Sequence, residues 1–267
     1  MNIFKKLFMA LSYVTTLPTG KIKPQSEEDL KGLAGYLPWV GLILGTILSA
    51  VSLAFIVMGL DDLLGSILLG VLWLCLTGSI HMDGLMDTAD GVFSHQPQER
   101  MLEIMKDSRV GNFGVLTGVC VLLIKIAAIK ALWGGSLPVI LLIAPIWGRL
   151  AEVFAIAKYP YAREDGKGKV WHDSTKFPKD VLVSSLMPFA LSVGLILTGQ
   201  YYVITFCVLA LILGPIISAY LARVIGGHTG DTYGAVVELC ETNAMALLVI
   251  FSAFIGAMAQ LSSPVAL

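Results

Sequence analysis

The 267-residue chain is poor in charge: only 14% of its residues are Asp, Glu, Lys or Arg, against about 25% in ordinary soluble domains. That scarcity excludes a soluble globular domain, which needs far more polar surface to cover its apolar interior. A formal net charge of −1 excludes the basic footprint of a nucleic-acid binder, so no nucleic-acid partner is expected. Cysteine is scarce as well. Cys75, Cys120, Cys207 and Cys240 lie in or beside apolar runs without CxxC spacing, so neither a zinc site nor a disulfide framework is expected. No GK[ST] triplet follows a glycine-rich stretch, which excludes a Walker A loop. No repeat, low-complexity tract or domain boundary is visible.

What is abundant is apolar sequence, 56% of the chain, with a mean hydropathy of +0.81. A run of roughly 20 apolar residues crosses a bilayer as a helix. Seven such runs occur, at 33–60, 63–80, 113–133, 137–157, 181–197, 202–222 and 244–261. They predict an all-α fold: one polytopic transmembrane helix bundle of about seven spans over residues 32–267, in contact with the lipid bilayer. Residues 1–31 read as an amphipathic segment in the interface, with Lys5 and Lys6 among headgroups. Pro38 is expected to break or kink the start of the first run.

Basic residues crowd one set of connections. Lys21, Lys23 and Lys31 precede the first span, Arg100, Lys106 and Arg109 follow the second, Lys158 to Lys179 follow the fourth, and Arg223 follows the sixth. The bias predicts that the N-terminus and these connections face the cytoplasm.

The polar chemistry lies in the same connections. In His81-Met-Asp83-Gly-Leu-Met-Asp87-Thr-Ala-Asp90-Gly91 the three aspartates stand at i, i+4 and i+7, which puts them on one face of a helix. Three neighbouring carboxylates repel, and hard oxygen ligands suit Mg²⁺, Mn²⁺ or Ca²⁺. Gly84 and Gly91 leave room for a bulky ligand or a close backbone approach, and His81 is expected to point away from the acidic face. A second stretch, Gly226-Gly-His228-Thr-Gly230-Asp231 through Glu238, offers Asp231 and Glu238 on one helical face behind glycines whose N–H groups can meet phosphate. In a third, Lys106 and Arg109 are placed for phosphate oxygens, with Asp107 as an additional ligand.

Inside the apolar runs, Arg149 and Glu152 stand at i and i+3 and are suited to pair, for structure or for substrate. Lys125 and Lys130 read as snorkelling side chains. The connection 158–180 mixes charge with Tyr159, Tyr161 and Trp171, as a pocket cover or as an interfacial loop with aromatic anchors.

Several ordered stretches, YLPWVGLILG, HMDGLMDTADG, ERMLEIMKDSRVGNFGV, KYPYAREDGKG and GGHTGDTYGAVVELCE, resemble the cobalamin synthases, the adenosylcobinamide-GDP ribazoletransferases of bacterial vitamin B12 synthesis. The resemblance implies a Mg²⁺-dependent transferase in the bacterial inner membrane with a cytoplasmic site. Its substrates would be adenosylcobinamide-GDP and α-ribazole or α-ribazole 5′-phosphate, and its products adenosylcobalamin, or its phosphate, and GMP. On that chemistry Asp83, Asp87, Asp90, Asp231 and Glu238 are expected to hold metal, with Asp83, Asp87 and Asp90 catalytic. Lys106 and Arg109, with Gly84, Gly91, Gly230 and Arg149, are expected at the substrate. Self-association into a homo-oligomer stays open. Asp87-Thr-Ala-Asp90-Gly91 also matches the opening of the CDP-alcohol phosphotransferase motif, but Ser94 and His95 stand where that family has an Ala-Arg pair.

Overall fold

A computed structural model describes residues 3–20 and 22–262, with side chains through residue 257. Lys21, one of the basic residues counted above, lies outside them. The chain folds as helices joined by short turns: α1 (Ile3–Val14), α2 (Glu27–Leu30), α3 (Leu37–Val57), α4 (Asp62–Thr77), α5 (Ile80–Phe93) and α6 (Gln98–Ile104) in the first part. Then come α7 (Asn112–Ala131), α8 (Leu137–Lys158), α9 (Lys167–Ser174), α10 (Lys179–Leu197), α11 (Tyr202–Ile225) and α12 (Gly230–Ser262). The architecture is the expected all-α bundle.

Six elements are long and apolar enough to cross a bilayer alone: α3 with the turn before it, α7, α8, α10, α11 and α12. The α4–α5 pair passes only when taken together, and it is bent by 90°. Gly78 and Ser79, both at φ 58°, end α4 with two left-handed residues, so α5 departs sharply from its direction. The free carbonyls of the last turn of α4 are taken by the N-terminal segment. Thr16 donates its N–H to Leu76 O at 2.9 Å and its hydroxyl to Cys75 O at 2.7 Å. That clasp ties the segment after α1 to the end of α4.

The axis of the bundle is α8, whose apolar stretch is buried all round. Gly41 and Gly45 let α3 approach it backbone to backbone: a Cβ on Gly41 would sit 2.5 Å from Pro145 O, and one on Gly45 would strike Leu142 O. Small residues four apart are the usual means by which helices pack closely in lipid. Pro38 falls in the first turn of α3, where proline is tolerated, rather than kinking it. Leu53, Leu68, Val71, Leu116, Leu186 and Ile250 lie exposed on the outward faces, as lipid-facing side chains do. The last span starts earlier than expected. Its helix begins at Gly230 and runs 33 residues, absorbing the stretch read as a connection.

Candidate active site

The triplet is helical, as its spacing predicts. Asp83 is exposed on α5 while Asp87 and Asp90 are half-buried, and the opposite face (Gly84, Leu85, Thr88, Ala89) packs inward. Gly84 rests on the backbone of Asp231, where a Cβ would come within 2.6 Å of the carbonyl oxygen, and Gly234 rests against His81. Of the two roles open to Gly84, close backbone approach is the one observed. α5 therefore crosses the first turn of α12 and brings Asp83, Asp87 and Asp231 to one side of the crossing. Burial first, then the like charges of Asp83, Asp231 and Asp90, push the Asp87 carboxyl up to about 7.

Asp90 does different work. Its carboxylate accepts the Gly111 N–H at 2.7 Å and the Gly114 N–H at 2.8 Å, which caps the start of α7. This joins the first and third motifs through backbone rather than through the basic side chains expected there. Lys106 and Arg109 stay exposed, and Arg109 lies on Asp107 at 2.6 Å, whose carboxyl it holds down at about 2. Gly91 packs on Met105.

Arg163, not foreseen as a site residue, supplies the positive charge. Its Nη2 lies 2.8 Å from Asp231 Oδ2, and its Nε is buried without an acceptor. Local structure delivers it: His228 donates its N–H to Pro160 O at 2.8 Å, and Ala162 donates to His228 O at 2.7 Å. The His228 ring locks this junction, with Nε2 on Ser218 O at 3.1 Å and Nδ1 on the Thr232 hydroxyl at 2.9 Å. Burial pushes it down to about 4, so it stays neutral.

A cavity of about 290 Å³ opens beside the aspartates. Asp83, Asp231, Arg163, Lys167 and Gly230 share its wall with Tyr13, Tyr161, Trp171 and Tyr233, and His81 and Glu152 also line it. The connection 158–180 thus serves as a pocket wall. The charge pattern of KYPYARED was a signal for Arg163; nothing in the N-terminal segment singled out Tyr13.

Two further expected site residues, Glu238 and Arg149, also lie away from the cavity. Glu238 is buried in the bundle with Lys125 Nζ at 2.6 Å, and the same Nζ reaches Glu241 at 3.4 Å. Arg149 is wholly buried and pairs with Glu241 at 2.6 Å rather than with Glu152. Seven residues along α12 carry Glu238 away from Asp231, into an interior where a carboxylate needs a cation partner. Lys125 does not snorkel: it sits in this network, 4.3 Å over the Trp73 ring, whereas Lys130 does reach the surface, to Asp62 at 2.9 Å. His81 is buried between the two regions, 3.5 Å from Arg149 Nη2 and 3.9 Å from Glu152 Oε2.

Among the described residues no three His, Cys, Asp or Glu side chains stand close enough to cage a metal ion. Mg²⁺ does not require such a cage: it keeps several waters and takes one or two carboxylates plus substrate phosphate. Asp83 and Asp87, on one helix face and without a basic partner of their own, are a donor set of that chemistry, with Asp231 beside them.

The family described as cobalamin-5-phosphate synthase matches residues 6–250. The chain belongs to that family. It is 40% identical over 253 residues to the adenosylcobinamide-GDP ribazoletransferase of Thermosynechococcus vestitus, covering 94% of this chain and 99% of that one. The enzymes of the same name from Roseiflexus sp. and Desulfitobacterium hafniense are 37% and 35% identical, over 92% and 95% of this chain and 90% and 98% of theirs. No solved structure matches the chain. The cavity and the acidic crossing lie within the matched stretch, between Tyr13 and Gly234.

Proposed function

We propose that the chain is a Mg²⁺-dependent adenosylcobinamide-GDP ribazoletransferase of the bacterial inner membrane, with its acidic crossing on the cytoplasmic side. The orientation rests on the basic residues of the connections at that end. The observation that carries the reaction is the meeting of Asp83 and Asp231 with Arg163 on one cavity wall, with Asp87 near enough for its carboxyl to respond to all three charges.

In the reaction the hydroxyl oxygen of α-ribazole, or of its 5′-phosphate, forms a bond to the cobinamide-side phosphorus of the diphosphate. The bond from that phosphorus to the bridging oxygen breaks, and GMP leaves with that oxygen. Asp87, half-buried on the acidic face, takes the hydroxyl proton. Arg163, whose Nε has no acceptor in the protein, binds a phosphate oxygen, and Gly230 at the start of α12 leaves the helix terminus open to another. Asp83, with Asp87 and Asp231 beside it, would hold Mg²⁺, which supplies positive charge against the diphosphate and the departing GMP. Asp90 holds the face in place by capping α7.

The test is direct. Purified protein in lipid nanodiscs receives adenosylcobinamide-GDP and α-ribazole, with Mg²⁺ or with chelator. GMP should appear only in the presence of metal; its absence from both arms refutes the activity, and its appearance in both refutes the metal.

A further inference from the structure

One cation on the cavity wall takes no part in the chemistry described so far. Lys167 lines the cavity at the first position of α9, with its side chain exposed. Local structure puts it there. Gly166, at φ 135°, and Gly168 both lie against the Tyr161 ring: a Cβ would come within 2.6 Å of Tyr161 Oη at the first and 2.8 Å of Tyr161 Cε2 at the second. The chain therefore folds over Tyr161 with Lys167 between the two contacts. Beyond it, α9 is held by Trp171, buried with its ring 5.1 Å from that of Tyr13, and by His172, whose Nδ1 lies 2.8 Å from Ile156 O. The backbone of Lys167 is fixed beside the cavity, and its flexible stem decides only how far the ammonium reaches.

The neighbouring basic groups are engaged by the protein, Arg163 with Asp231 at 2.8 Å and Lys169 Nζ with Glu164 O at 2.6 Å. Lys167 is not. Among the described residues no carboxylate pairs with its ammonium, although Glu164 and Asp165 precede it in the chain; the contact it makes is with the Tyr13 ring, 5.7 Å from the centroid. Nor does it serve the aspartates, since the cation set against Asp87 and Asp231 is Arg163. The cavity thus has two positive poles, one at the α5–α12 crossing and one at the start of α9.

Charge decides what the second pole takes. The aromatic walls suit the flat base of either nucleotide and do not discriminate between them. The diphosphate of adenosylcobinamide-GDP is substituted at both ends, and the crossing already offers it Arg163, the open terminus of α12 and the carboxylates that would hold Mg²⁺. A phosphate monoester carries close to about two negative charges at neutral pH. Among the substrates of the proposed reaction, α-ribazole 5′-phosphate has such a group and α-ribazole has none. An ammonium is a compact point charge with three donors, suited to bind it.

We infer that Lys167 is a specificity-determining residue that binds the phosphate monoester of α-ribazole 5′-phosphate, so that the nucleophile is held at the start of α9 while the diphosphate is held at the crossing. The inference rests on the proposed reaction for the presence of both substrates. The choice between the two nucleophiles, and the side chain that makes it, go beyond that reading.

The test uses the full chain in nanodiscs with saturating adenosylcobinamide-GDP and Mg²⁺, and follows initial GMP release against the concentration of each nucleophile. The wild type should use α-ribazole 5′-phosphate with a kcat/KM about 10-fold or more above that for α-ribazole, the scale of a hydrogen bond between charged groups. Lys167→Gln should bring the two nucleophiles level by raising KM for the 5′-phosphate, with kcat, KM for α-ribazole and KM for adenosylcobinamide-GDP unchanged. Lys176→Gln, which removes an exposed ammonium of the same connection away from the cavity wall, should keep the preference. Equal efficiencies in the wild type overturn the assignment, and this needs no variant. So does a preference that survives in Lys167→Gln or is lost as fully in Lys176→Gln. A rise in KM for adenosylcobinamide-GDP, with both nucleophiles impaired alike, overturns it too and gives Lys167 to the diphosphate. GMP release by a wild type that uses both nucleophiles equally leaves the reaction standing and removes only the role of Lys167.

Discussion

Arg163 lies 2.8 Å from Asp231 and sets its positive charge against the half-buried aspartates at the α5–α12 crossing, as its opposing effect on Asp87 records. The pair is built by backbone, because the strand-like pairing of residues 160–162 with His228 leaves the guanidinium little choice of position. A cation held this firmly against a carboxylate, with a donor to spare, is arranged for a second anion.

Replacing Arg163 should therefore harm turnover more than folding. Arg163→Ala is expected to lower kcat by about 100-fold, the usual scale for one donor to a developing oxyanion. Arg163→Lys should recover only part, because an ammonium cannot contact Asp231 and a phosphate as a planar fork does. Initial rates of GMP release, normalised to folded protein, check this; wild-type rates in Arg163→Ala would remove Arg163 from the site.

At Asp87 metal and proton compete. Its folded-state value of about 7 lies above the ordinary carboxylate value of about 4, so between the two the native state holds a proton that the unfolded state has lost. This contribution to stability is present at low pH and disappears as pH rises through about 7. Metal-free protein should melt lower at pH 8 than its other groups dictate, and Mg²⁺ should raise the melting point more at pH 8 than at pH 5.5. Asp87→Asn should flatten both trends in thermal unfolding and abolish Mg²⁺-dependent GMP release.

The cap on α7 predicts a purely structural lesion. A Cβ at Gly114 would lie 2.5 Å from Asp90 Oδ2 and 2.8 Å from Met86 O, with little room to move. Gly114→Ala should destabilise the protein by about 1–3 kcal/mol, the typical consequence of overpacking, and excess Mg²⁺ should not restore it. Thermal unfolding with and without metal separates this from loss of a metal ligand.

The buried network makes the opposite distinction. Removing one member, as in Lys125→Met, leaves Glu238 buried without its cation and should lower stability by about 3–5 kcal/mol. Lys125→Met with Glu238→Gln should be milder than Lys125→Met alone. Glu238→Gln by itself should leave the Mg²⁺ concentration for half-maximal GMP release unchanged, because Glu238 stands away from the aspartate crossing. A large increase in that concentration would return Glu238 to the metal site.

How far the molecule could be read in advance follows from the range of the forces involved. Hydrophobic run length and the i, i+4, i+7 spacing of Asp83, Asp87 and Asp90 are local, and they led to the all-α bundle and to the acidic face. Gly78 can end a helix, but the bend at Gly78-Ser79 was not legible, since Ser79 gives no sign of its left-handed backbone and Thr16, which holds the end of α4, lies some sixty residues away. Nor was the position of Lys125. A lysine some residues into a span snorkels or stays inside according to what faces it, and Glu238 and Glu241 come from a helix more than a hundred residues away.

Composition and periodicity by themselves settled that this chain forms membrane helices and that three carboxylates share one face of a helix, because burial in lipid and helical geometry act on neighbouring residues. Tertiary packing alone decided which charges meet: Arg163 with Asp231, Asp90 with the first turn of α7, Glu238 with Lys125. Those pairings arise where separate helices cross, and the energy of a charge there depends on its partner and on the exclusion of water, neither of which is encoded in the spacing of residues along the chain.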